Sequence, residues 1–178
     1  MKRTVLVFGL IAGAMSSVMM VATLPLVDRI GFDKGAVIGY TAMVLAGLLI
    51  FFGIRSYREN IGAGAISFGR GLAIGLLISL IATVCYVGTW EVIYFKFMPD
   101  FAEKYSAYTV ERLQASGASA EAVETARKQA AEFKVMYDKP LVNAAMTFLE
   151  PMPVWLGMTL VSAAILRRRH AAGAVRTS

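Results

Sequence analysis

The chain has 178 residues, 57% of them hydrophobic, with a net charge of +6 and a mean hydropathy of +0.62. Soluble domains hold about 45–50% apolar residues, so the excess argues against an ordinary soluble domain and for a membrane protein. The one cysteine, Cys85, lies inside an apolar run and can form no internal disulfide.

A helix rises about 1.5 Å per residue, so crossing a hydrocarbon core of about 30 Å takes roughly 20 apolar residues. The first candidate covers residues 4–27 without a charge. Met1-Lys2-Arg3 and Ala12-Gly13-Ala14 resemble parts of a signal peptide, but the run continues well past any cleavage point, so an uncleaved helix is expected. The second candidate covers 35–54, also uncharged. The third covers 71–90, followed by Glu91 and the apolar residues 92–95. The fourth covers 141–166 and contains Glu150 as its only charge.

Lys and Arg near helix ends orient the chain. Lys2, Arg3, Arg55, Arg58, Arg70, Arg167, Arg168, Arg169 and Arg176 fall on one side with a single acid, Glu59. The other side carries nine basic and eleven acidic residues, giving +8 against −2. Both termini are therefore expected in the cytoplasm. The arginines at 167–169 read as a flank that stops translocation rather than as a nucleic-acid patch.

Between the third and fourth candidates, residues 97–139 predict a helical hairpin on the extracytoplasmic side. Phe97, Phe101, Tyr105 and Tyr108 recur at helical spacing. Gly117 suits a helix end and Ser119 an N-cap. Val123, Ala126, Ala130, Phe133 and Tyr137 mark the second helix. Helices at about 97–115 and 120–138 are expected to face each other through Phe101, Tyr105, Tyr108, Val123, Ala126 and Phe133. A partner-docking or membrane-lying surface is the alternative. The fold class is thus all-α and integral to the membrane: one four-helix transmembrane domain over 1–178, with the hairpin inserted.

Three rows of small residues, Gly9/Gly13/Ser17, Gly71/Gly75/Ser79 and Gly35/Gly39, allow close helix contact in lipid. They suit internal packing or a homo-oligomer. The loop with Gly62, Gly64, Gly69 and Gly71 has neither a preceding strand nor a Gly-Lys-Ser/Thr ending, so it reads as a tight turn with Ser67 capping the third helix, not as a phosphate cradle.

The catalytic inventory is poor. The only histidine, His170, is in the basic tail, and Cys85 has no second ligand near it. No metal, no cofactor and no enzymatic activity are expected. Two acids remain, Glu91 and Glu150. Counted along their helices, both fall in the outer part of the bilayer, within about 6 Å of each other in depth. As a pair, one of them is expected to keep its proton at neutral pH. Acids inside a membrane are functional candidates by default, yet Glu91 can also reach the headgroups. Pro151 and Pro153 break helical hydrogen bonding, so a kink at 150–153 can let water in to Glu150.

Several stretches resemble a widespread bacterial membrane family known as domain of unknown function 4199. They are Val7-Phe8-Gly9-Leu10-Ile11-Ala12-Gly13, then Gly39-Tyr40, and the run ending Phe52-Gly53-Ile54-Arg55-Ser56-Tyr57-Arg58. Ile66-Ser67-Phe68-Gly69-Arg70-Gly71, Gly75-Leu76 and Met98-Pro99-Asp100-Phe101 complete the set. The resemblance implies a four-helix inner-membrane protein and no reaction. Two functions compete. One is an accessory or structural protein acting by association, with the bilayer, a second copy or another membrane protein as partner. The other is a small proton- or cation-linked transporter using Glu91 and Glu150.

Overall fold

The structure, a computed structural model, describes residues 1–168, apart from the side chain of Asp28. The expectations for Arg169, His170 and Arg176 lie outside the described residues. The helices are α1 (Lys2–Ile30), α2 (Phe32–Asn60), α3 (Phe68–Lys96), α4 (Phe101–Ala115), α5 (Ala120–Tyr137), α6 (Pro140–Leu149) and α7 (Met152–Leu166). The first three have 29 residues each, about 43 Å of helix. They and the α6–α7 pair, Pro140–Leu166, are long and apolar enough to cross a membrane. The protein is a multi-pass membrane protein. Val18, Val37, Val84 and Ile165 stand exposed on its flanks, as befits a surface solvated by lipid tails.

Lipid supplies no hydrophobic drive between helices, so close packing must hold the bundle. Two of the small-residue rows do this internally. A Cβ on Gly13 would lie 2.6 Å from Cβ of Cys85, and one on Gly9 2.8 Å from Cβ of Ile81, so α1 meets α3 backbone to backbone. Farther along the same row, Thr89 donates to Ser17 Oγ at 2.8 Å. A Cβ on Gly75 would lie 2.5 Å from Cγ2 of Thr159, and the hydroxyls of Ser79 and Thr159 are 3.4 Å apart, which joins α3 to α7. The third row is divided: a Cβ on Gly35 would lie 3.1 Å from Cγ2 of Val27 in α1, whereas one on Gly39 would meet nothing within 4 Å.

One end of the bundle gathers the basic segments. Ile66 and Arg168 exchange backbone hydrogen bonds of 2.9 and 3.0 Å, which brings the α2–α3 loop to the end of α7. Ser67 Oγ accepts from the Arg70 amide at 3.3 Å, the expected cap. The Arg70 guanidinium donates to the Tyr57 hydroxyl at 3.1 Å. Val5, Ile54, Ile66, Ile74 and Leu166 are buried together at this end.

The other end carries α4 and α5. Gly117 has φ +80°, which a glycine adopts without strain, and Ser119 Oγ accepts from the Ala122 amide at 3.2 Å. Both features match the sequence expectation. Two details differ from it. Helix α4 starts at Phe101, not at 97, because Met98-Pro99-Asp100 forms a turn and leaves Phe97 exposed. Helices α4 and α5 pack on each other, with Val110 and Val123 buried, but the aromatic stripe of α4 has its ring contacts elsewhere. Phe32, the first residue of α2, takes the rings of Phe101, Tyr105 and Tyr108 at centroid distances of 5.8, 5.4 and 5.1 Å, and Phe101 also meets Trp90 at 4.9 Å. Aromatic pairs at such distances add to simple burial, so the hairpin is seated on the bundle's own rim. An exposed ion pair of 2.8 Å between Arg112 and Asp33 lies on the same seam.

Candidate functional site

The interruption expected at 150–153 is present as a lapse in helical hydrogen bonding, while Glu150 and Pro151 keep right-handed helical backbone angles. Helix α6 ends at Leu149 and α7 starts at Met152. Neither Pro151 nor Pro153 has an amide hydrogen, so the helical ladder fails twice within three residues. The chain restarts with the Trp155 amide donating to Pro151 O at 3.0 Å. Glu150 occupies the break.

Beside it lies a cavity of about 370 Å³, bounded by α1, α2 and α3 below and by α4 and α5 above. Its polar floor is Ser16, Tyr86 and Glu150, its sides include Met20 and Met43, and its roof includes Tyr105 and Phe133. Eight aromatic side chains and one carboxylate line it, with no Lys or Arg among the described residues. Gly35 and Gly39 also lie on its wall. At Gly39 the third small-residue row therefore leaves space instead of closing a helix contact.

Glu150 is exposed, with its carboxylate on the cavity wall. The buried Tyr86 donates its hydroxyl to Glu150 Oε2 at 3.1 Å. Among the described residues no ion pair reaches Glu150. Glu91 has a different place. It does not line the cavity, and its Oε1 is buried without a hydrogen-bond partner. The two acids expected to form a pair thus do not share the cavity wall.

Tyr137, at the end of α5, is the group both acids reach. Burial pushes its phenol above the usual tyrosine range. Hydrogen bonds with Thr147 and Trp90 work the other way, while Glu150 and Glu91 add to the rise. Trp90 donates its indole hydrogen to the Tyr137 hydroxyl at 3.0 Å. One turn on, Tyr94 donates to Asp138 Oδ1 at 2.6 Å, and Lys134 holds the other oxygen at 3.1 Å. The Tyr94 hydrogen bond, helped by Lys134, keeps the Asp138 carboxyl below its usual range. These contacts pin the hairpin's second helix to α3. A further anchor runs from Trp155 Nε1 to Met43 O at 3.1 Å and is buried.

Tyr86 and the cavity itself did not emerge from the sequence. The available signal was the spacing of Tyr86, Trp90 and Tyr94, four apart on one helix face. A tyrosine inside an apolar span needs a partner for its hydroxyl.

No curated protein matches the chain, and no solved structure matches it. The model of a family described as "Protein of unknown function (DUF4199)" matches residues 7–168. This stretch takes in most of the first span, the other three spans and the hairpin, and the chain belongs to that family.

Proposed function

We propose that this chain is a non-enzymatic accessory protein of a bacterial inner membrane that receives a small apolar guest under its outer hairpin. In this reading both termini are cytoplasmic and α4 and α5 are extracytoplasmic. The excess of Lys and Arg at the end formed by residues 1–5, 55–70 and 166–168 supports that orientation.

The observation that carries the reading is the cavity. Its volume falls at the lower end of small-molecule sites, about 300–1,000 Å³, and its wall is mostly apolar with few polar groups. Below it, Ile50, Ile54, Ile74 and Ile78 are almost fully buried, so the inner half of the bundle is closed. A closed floor favours holding a guest over passing it through. The helix break at Glu150 favours a second reading, a small proton- or cation-linked transporter, since broken helices mark transport sites. That reading needs Glu91 as well as Glu150, and Glu91 is off the cavity wall.

Trp90 emission tests the binding reading. The probe is decanol, added to the protein in phosphatidylcholine nanodiscs, with Trp90→Phe identifying the signal. Saturable change in the native protein, lost in Gly39→Leu, is expected. Gly39 faces open space, so leucine fills the cavity without a backbone clash. An identical titration in Gly39→Leu would remove the cavity as the binding place.

A further inference from the structure

We propose that the cavity selects a lipophilic organic cation, a free alkylammonium, with the ammonium group against Glu150 and the hydrocarbon chain among Met20, Met43 and the roof rings. The inference rests on the binding reading above and names the chemistry of the guest.

Three observations converge on it. The first is charge. Glu150 is the one acidic residue on the wall, and no Lys or Arg answers it there among the described residues. A carboxylate offers about four acceptor sites, and among the described residues Tyr86 is its one hydrogen-bond donor. Glu150 is exposed and lies on the cavity wall. An ammonium would supply both a donor and an opposite charge to a carboxylate that the mostly apolar lining leaves without a cation.

The second observation is the aromatic wall. Tyr40, Tyr86, Trp90 and Tyr137 join the rings of the roof around the same space. Ring faces attract cations, more strongly when water is excluded, and groups of aromatic side chains are a recurrent way of holding alkylammonium ions. A neutral apolar guest would need no acid, and an anionic one would be repelled by it.

The third observation is size. The space is partly open, and its volume of about 370 Å³ suits a single-chain molecule of modest length. A free amine is the guest of that size, and a phospholipid ammonium headgroup is the rival source that the test must exclude. The thioethers of Met19, Met20 and Met43 add an adaptable apolar wall, suited to a flexible chain.

The test compares decylamine, which is an ammonium ion at neutral pH, with decanol, its neutral counterpart. Both are titrated into phosphatidylcholine nanodiscs holding the native chain or Glu150→Gln, and Trp90 emission is read. Decylamine is expected to saturate at a concentration roughly tenfold or more below decanol in the native protein. Glu150→Gln should bring the two curves together. Equal curves in the native protein would overturn the cation inference and leave the binding reading standing. Persistent preference for the amine in Glu150→Gln would overturn it too, since the ammonium would then lie elsewhere. No saturable signal from either probe would remove the binding reading itself. Phosphatidylethanolamine added to the nanodiscs should not shift the decylamine curve; displacement would make the lipid headgroup the guest and contradict the free amine. Matching thermal unfolding of the native chain and Glu150→Gln checks that the variant is folded.

Discussion

Tyr86 and Glu150 are 64 residues apart in the chain, and their side chains meet at 3.1 Å. The contact ties α3 to the junction between α6 and α7, and places a carboxylate on the wall of a mostly aromatic and apolar cavity.

Tyr86→Phe keeps the ring and removes the donor. The loss of one hydrogen bond inside a membrane protein is worth about 0.5–2 kcal/mol. A small drop in stability is expected in mixed-micelle unfolding, together with a change in decylamine affinity. Unchanged affinity would mean that Tyr86 does not position Glu150 for binding.

The glycine rows make opposite predictions. Gly13→Ala pushes a methyl against Cys85, where a Cβ would come within 2.6 Å. Overpacking of this kind costs about 1–3 kcal/mol, so thermal midpoint and accumulated protein should both fall. Gly39→Ala points into free space and should leave both nearly unchanged. Equal effects from the two substitutions would contradict the close approach of α1 and α3.

The attachment of the hairpin should respond to acid through Asp138. Its folded-state pKa is lowered from 3.8 by the Tyr94 hydrogen bond and by Lys134. A depressed carboxyl stabilises above its unfolded value and loses that contribution as pH falls through the folded one. Hydrogen exchange in α5 should therefore be insensitive to this group between pH 5 and 8, on the order of one unit or more above the usual carboxyl range, and α5 should loosen only below it. Asp138→Asn should raise exchange at neutral pH. Loosening of α5 centred near neutrality in the native chain would point to another group.

Orientation can be read directly. Reporter fusions after Ser178 should behave as cytoplasmic, and insertions at Ser119 as extracytoplasmic. A cytoplasmic Ser119 would reverse the assignment of the hairpin.

Much of the fold was legible because its signals are local. Long uncharged runs mark the spans, Ser67 and Ser119 mark helix starts, Gly117 marks a left-handed residue, and Pro151 with Pro153 marks the break. The partner of the α4 stripe was not legible, since Phe32 lies some 70 residues earlier in the chain and nothing local links them. The candidate site was half legible for a similar reason. Counting residues places Glu91 and Glu150 at similar depth, but each residue also turns the helix by about 100°. Tyr86 and Trp90, four apart, face the cavity, whereas Glu91, one residue beyond Trp90, does not line it. Depth can be read from hydropathy, while direction around the helix depends on which neighbours it packs against.

The central claim is that the space beneath the hairpin holds a guest. Native mass spectrometry of the protein, extracted from its membrane in mild detergent, tests this most directly. The native chain should retain a discrete small-molecule adduct that Gly39→Leu lacks, with both proteins folded and otherwise equal in mass apart from the substitution. Identical spectra for the two, with no adduct or with the same adduct, would contradict a guest in the cavity.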